Sequence, residues 1–253
     1  MMNLNRLLRD IAPVAAIAIA AGLSGCKNVD ININSDDGVP LAELDTSGPP
    51  PHELILAGPD SVVVTDGDAL TIQVEGDASA VDALRFNLDD ESLGIRRENG
   101  NGGSSKGVAT IRVTMPPARK ITIAGSGGVA AQSMASDAKV TIAGSGRLDI
   151  GNLTAERLNV NIAGSGTFGA AGKVDTLDLT IAGSGDMEAR GLQVQTAKLS
   201  VVGSGDAEFA SDGTVTARVV GSGGVTVYGK ATCTVDALGS GKVTCRPDET
   251  NAD

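Results

Sequence analysis

From residue 120 to residue 245 the chain alternates apolar and polar positions, and one triplet, Gly-Ser-Gly, breaks the alternation at a fixed interval. The triplet begins at Gly125, Gly144, Gly164, Gly183, Gly203, Gly221 and Gly239, a period of 18 to 20 residues. Two positions before it stand Ile123, Ile142, Ile162, Ile181, Val201, Val219 and Ala237; four before it stand Ile121, Val140, Val160, Leu179, Leu199, Ala217 and Val235. The position between these two columns is polar every time, from Thr122 and Thr141 through to Arg218 and Asp236. Such alternation, rich in β-branched residues, predicts a strand. A second strand follows the triplet, with Val129, Leu148, Phe168, Met187, Ala207, Val225 and Val243 facing in, and with Ala131, Ile150, Ala170, Ala189, Phe209, Val227 and Cys245 two residues further on.

A fixed period means stacked equivalent units. A unit near 19 residues is too short for a strand with a covering helix and a return of comparable size. It can close one turn of a parallel β-helix, each strand pairing with its equivalents above and below at about 4.8 Å. The expected fold class is all-β, a parallel β-helix, right-handed by the crossover rule. If the alternation runs through the corner, both glycines of each triplet face inward where the coil narrows, and only a residue without Cβ lets the backbone turn there. Ser126, Ser145, Ser165, Ser184, Ser204, Ser222 and Ser240 then face outward in one ladder beside Ala124, Ala143, Ala163, Ala182, Val202, Val220 and Leu238. This flat, small-residue stripe is the candidate interaction surface.

The pattern begins earlier. "ELILAGPDSVVV", residues 53–64, overlays "KITIAGSGGVAA", residues 120–131, position for position, with Pro59 and Asp60 replacing the end of the triplet. "ALTIQVEGD" reads as continued strand, "FNLDDESLGIRREN" as strand, turn and strand, and "NGNGGSSKG", residues 99–107, as a flexible loop. One β-helical domain over residues 53–245 is expected, with about ten coils and a rod about 45 Å long. A two-domain split at that loop is the alternative; residues 246–253 are left as a tail.

Residues 1–25 read as an address. Arg6 and Arg9 make a basic start, residues 11–23 form an apolar run too short to span a bilayer comfortably, and Leu23-Ser24-Gly25-Cys26 closes it. These four residues resemble the lipobox of bacterial lipoproteins. The resemblance implies cleavage before Cys26 and acylation of its sulfur and amino group, hence a membrane contact through an N-terminal lipid; an ordinary secretory signal with a chance cysteine is the alternative. Lys27, where that family uses aspartate for inner-membrane retention, implies outer-membrane sorting in a Gram-negative envelope. Residues 26–52, polar, acidic and ending near three prolines, read as a lipid-anchored flexible tether. Cys233 and Cys245 remain, both on inward columns of the last coil. In an oxidising compartment they predict a disulfide that closes that coil, with two buried thiols as the alternative.

Composition then excludes whole classes of function. A net charge of −11, or −12 once Arg6, Arg9 and Asp10 leave with the signal, repels phosphates and argues against nucleic acid. With no Trp, one Tyr and three Phe, the chain is poor in rings on which sugars or bases stack. Serine catalysis needs a base, and the one histidine, His52, lies in the tether. "AGSGG" at residues 124–128 faintly resembles a phosphate-cradling loop, but a nucleotide site occurs once per domain, and seven copies argue structure. Asp186 and Asp206 follow glycines without the spacing of calcium-binding repeats, so they read as solvated turn carboxylates. The outward column Lys120, Lys139, Asn159, Asp178, Lys198 is mixed in charge, unlike the acidic groove of pectate-lyase-like β-helix enzymes. No catalytic residue, metal ligand or cofactor is assigned.

Two stretches carry a further resemblance: "ELILAGPDSVVVTDGDALTIQVEGD" followed by the "DDESLGIRRE" strand pair, and the later IAGSG coils ending in paired cysteines. Together they resemble the head GIN domain family of bacterial envelope proteins, labelled auto-transporter adhesin, over residues 53–245. The resemblance implies a β-helix and an envelope location, and supplies no ligand or catalytic residue. The functional expectation is a non-enzymatic lipoprotein of the cell envelope that presents a β-helical rod for adhesion or protein interaction, its ligand an unknown protein or surface glycan. A periplasm-facing structural or stress-related scaffold is the alternative, and a polysaccharide-active enzyme the third reading.

Overall fold

The computed structural model describes residues 38–98 and 107–246, which fall within one compact unit. Cys26, the signal segment, residues 26–37 of the expected tether, residues 99–106 and the tail from residue 247 lie outside the described residues.

Sixteen strands join in one sheet wound into a parallel β-helix of about seven turns. The first coil is β1 (Glu53–Ala57) and β2 (Ser61–Asp66). An excursion follows through β3 (Thr71–Gly76), helix α1 (Ala78–Asp82), β4 (Leu84–Leu88), β5 (Ser92–Arg97) and β6 (Ala109–Met115). Winding resumes with β7 (Lys120–Gly125), β8 (Gly128–Ala131) and β9 (Asp137–Gly144). It continues through the long wrapping strands β10 (Arg147–Gly164), β11 (Thr167–Gly183), β12 (Asp186–Gly203) and β13 (Ala207–Gly221). It ends with β14 (Gly224–Tyr228), β15 (Thr232–Gly239) and β16 (Lys242–Arg246).

The columns expected from the alternation are the observed registers. Ile123 lies beside Ile142, then Ile162, Ile181, Val201, Val219 and Ala237 in successive coils. The overlay of residues 53–64 on residues 120–131 is likewise a physical pairing, since Leu54 lies beside Ile121, Ala57 beside Ala124, Val62 beside Val129 and Val64 beside Ala131. A short third side, not expected from the sequence, runs through Leu153–Ala155, Gly172–Val174 and Leu192–Val194. Register shifts precede it, between Ile150 and Leu153 and between Gly169 and Gly172. Unequal coil lengths are absorbed there, and the corner stays in register.

The two glycines of each corner serve different ends. The first adopts a positive φ throughout, +120° at Gly144 and +130° at Gly203, a region costly for other residues. A Cβ on Gly203 would sit 2.1 Å from the carbonyl oxygen of Gly183 in the preceding coil. The second glycine is buried in every corner but the last, and a Cβ on Gly166 would sit 2.4 Å from the Ile142 side chain. Only this second glycine faces the lumen, so the alternation does not run straight through the corner. What requires both is the distance between coils: Ser204 N–H donates to Gly183 O at 2.9 Å, and Ser222 N–H to Gly203 O at 2.9 Å.

The expected ten coils are reduced to about seven, and within residues 67–119 the strands β3 and β4 reverse direction instead of winding. β5 and β6 stack below β1 and β2 in parallel, and β4 and β3 then pair antiparallel on their outer edges. A tight turn allows only antiparallel pairing, and here Asp89 makes it by accepting from Glu91 N–H at 2.9 Å and from Ser92 N–H at 2.7 Å. The first part of the fold begins sooner than the tether reading had it. Val39 bridges Phe86 beyond β4, Leu41–Glu43 form a 3-10 turn, and Leu41 and Leu44 pack on the core. These few apolar side chains stand in an acidic, proline-rich background, which is why the composition reads as tether.

The C-terminal end is built differently. Cys233 and Cys245 form the expected disulfide across the last coil. Val235 is nevertheless 48% exposed, although the same column is at most 4% exposed from Ile121 through Ala217.

Two outcomes check this account by urea denaturation. Gly203→Ala combines the disfavoured φ with a backbone clash and is expected to cost about 3 kcal/mol or more, whereas Ser204→Ala beside it should stay within about 0.5 kcal/mol. Replacing both Cys233 and Cys245 with serine should lower stability by about 3 kcal/mol, with amide exchange accelerated first in β15 and β16.

Candidate interaction surface

All seven corner serines, Ser126, Ser145, Ser165, Ser184, Ser204, Ser222 and Ser240, are exposed, as the outward ladder requires. They are spaced by the strand ladder, and the last two share a hydroxyl hydrogen bond of 3.1 Å. Beside them runs the small-residue row. Ala163 and Ala182 are exposed in its middle, and the row grows bulkier toward the C-terminal end, where Val202 is 37% and Leu238 70% exposed. The result is a flat stripe, methyl groups beside hydroxyls, with a repeat set by the backbone.

The face after the corner is charged. Arg147 donates to Asp149 at 2.7 Å and to Glu188 at 3.0 Å, and these bonds raise its pKa further above the ordinary arginine range. The pairs are about half exposed, so their net contribution to stability is small. Asp186 and Asp206 look like a cation site only in outline. The carboxylate of Asp186 accepts Asp206 N–H at 2.9 Å, and that of Asp206 accepts Gly224 N–H at 2.6 Å, so each joins its coil to the next. Among the described residues, no group of three or more His, Cys, Asp or Glu could hold a metal ion.

Asp60, which stands where later corners have their second glycine, is 1% exposed and ionically paired. It accepts from Arg97 Nε at 2.8 Å, from Arg97 Nη2 at 2.6 Å and from Ala109 N–H at 2.8 Å. The hydrogen bond to Asp60 raises the pKa of Arg97 against an opposing desolvation. In later coils a side chain at this position meets a leucine, isoleucine or valine of the coil below. In the first coil it can reach between β5 and β6 and hold the cap. In the sequence Asp60 looks like a mere substitution in the triplet; its signal is a carboxylate at a position reserved for glycine, with Arg96 and Arg97 downstream.

No aromatic ring is available for stacking. Phe86, Phe168 and Phe209 are fully buried, and Tyr228 is 6% exposed, with the guanidinium of Arg190 4.3 Å from its ring centre and that of Arg246 at 5.1 Å. His52 sits at the far end of β1 from the corner, about 17 Å along the strand. Its backbone carbonyl accepts from Arg119 N–H at 2.7 Å. No helix among the described residues is long and apolar enough to cross a membrane.

A parallel β-solenoid with a serine-lined corner and an antiparallel N-terminal cap defines a class of repeat proteins that present long lateral faces. The family described as "Putative auto-transporter adhesin, head GIN domain" matches residues 50–231, and the chain belongs to it. Solved structures share the fold. A "putative adhesin" from Bacteroides fragilis is 20% identical with a TM-score of 0.70, covering 79% of this chain and 94% of that one. A "Putative lipid binding protein" from Parabacteroides distasonis is 19% identical with a TM-score of 0.59, covering 80% and 94%. A "putative adhesin" from Parabacteroides merdae is 17% identical with a TM-score of 0.55, covering 79% and 92%. No curated protein matches the sequence.

Asp60→Ala should cost about 3–5 kcal/mol by leaving the Arg97 guanidinium buried without its carboxylate. The loss is read in the urea midpoint. Addition of calcium to the wild-type protein should leave its melting temperature unchanged, because among the described residues no third carboxylate joins Asp186 and Asp206 in a group that could hold the ion.

Proposed function

We propose that this protein is a non-enzymatic cell-envelope lipoprotein, anchored in the outer membrane through lipid on Cys26, that uses the Ser/Ala stripe of its β-helix for adhesion or protein interaction. The observation that carries the reading is the continuous exposure of the corner serines in seven successive coils. A ladder of small side chains repeating every ~4.8 Å suits an extended or regularly repeating partner surface, because no bulky group keeps the partner at a distance. Burial of all four aromatic rings favours a protein ligand over a pyranose ring, which is ordinarily held by stacking. Membership of an adhesin-like family supports the envelope location and the binding role. Nucleic acid does not suit an acidic rod. No cofactor is invoked.

A periplasm-facing scaffold would use the same stripe on the other side of the membrane. Protease shaving separates the two when a specific cleavage site is placed in the 99–107 loop. Cleavage in intact cells, with a periplasmic control untouched, is the outcome expected of an adhesin; cleavage only after lysis would remove that reading. Ser165→Glu with Ser184→Glu should abolish attachment to the partner surface and leave the melting temperature within about 2 °C, since both side chains are exposed. Undiminished binding by that variant would discard the stripe as the contact.

A further inference from the structure

We infer that the C-terminal end of the β-helix docks against the same end of a second copy of this chain. Among the described residues, β15 pairs only with β13 and β16 only with β14, so both present an outer edge of backbone donors and acceptors. Such edges invite strand pairing unless they are blunted. At the N-terminal end Ala80 and Val81 of α1, with Leu41 and Leu44, pack over the core, and no such layer lies on the C-terminal end among the described residues. The disulfide spans its lumen, but Val235 is 48% exposed on the inward column and Leu238 70% exposed at the corner.

Residues 247–253 read "PDETNAD", acidic and with little apolar surface to place on Val235 or Leu238. The segment leading to Gly38 enters at the other end, beside β4, where Val39 meets Phe86. Nine strand spacings separate β4 from β15, about 43 Å. Residues 27–37, held at a lipid-bearing Cys26, span at most about 40 Å. A second copy supplies what is lacking. A two-fold axis through the corner at Ser240 runs β15 antiparallel to the partner's β16. It sets Val235 opposite the partner's Cys245, Ala237 opposite the partner's Val243 and Asp236 opposite the partner's Thr244. Inward positions meet inward positions, and no like charges face each other. The contact is isologous and therefore closes at two copies. With strands of only eight and five residues, the contact is small and falls at the low end of specific interfaces, so the association is weak.

The inference deepens the adhesive reading by naming its partner, and it rests there on the anchor at Cys26. Two rods joined by their C-terminal ends hold their lipid attachments at opposite extremes, which suits two facing membranes better than one.

Sedimentation equilibrium of the mature chain from residue 26, carrying Cys26→Ser, tests the docking without lipid or ligand. A reversible monomer–dimer equilibrium is expected. Leu238→Lys, which places a lysine against the partner's Lys242, should weaken it at least tenfold with the melting temperature unchanged. Ser165→Glu with Ser184→Glu should leave it as in the wild type. A monomer at the highest soluble concentration, or a Leu238→Lys chain that dimerises as the wild type does, would overturn the inference. Neither result depends on surface display or on the serine stripe, so the two proposals fail separately.

Discussion

Everything in this fold depends on how closely one corner can lie on the next. The carbonyl of the first glycine in each triplet accepts from the serine N–H of the following coil at about 2.9 Å. That spacing leaves no room for a Cβ on the glycine above. The corner therefore fixes the coil spacing, which puts the side-chain columns in register. The columns fill the lumen with Ile, Val and Leu at nearly zero exposure. Little else is needed to hold the rod together, and this explains a chain that folds with so few aromatic residues. The surface pattern comes from the same cause, because a serine held between two constrained glycines has nowhere to point but outward.

A stack of parallel coils has two ends, and each exposes the interior of a coil. This chain treats them by different physical means. At the N-terminal end, antiparallel strands, a short helix and a 3-10 turn cover the first coils, and one buried ion pair between Asp60 and Arg97 ties the cover to the corner. At the C-terminal end a covalent bond replaces the missing layer, holding the last strands together without burying them. Conformational entropy would otherwise release that coil first.

The repeat made much of this legible. Alternation and a fixed period were enough to place the strands on either side of the corner, their registers and the outward serines of the later coils, because identical local geometry imposes identical residues. The disulfide followed from two cysteines on inward columns. Where the geometry stops repeating, so does the inference. β3 and β4 have the alternation of coil strands, and nothing local in "ALTIQVEGD" tells an antiparallel partner from a parallel one. Asp60 could be aligned with the glycines of later corners, but its burial depends on β5 and β6, far along the chain. The third side, carried by residues such as Leu153 and Val194, was hidden by the register shifts that precede it. Cys26 and the lipid attachment stand on sequence resemblance alone.

The division of labour between corner and third side has a consequence for how such a protein changes over generations. The corner admits no extra residue, while the third side already accommodates repeats of 18, 19 and 20 residues without disturbing its neighbours. Insertions can accumulate along that one side, as decoration. The rod itself can lengthen or shorten only by gain or loss of an entire coil. The length of the rod is therefore inherited in discrete steps of about 4.8 Å, one duplication or deletion at a time.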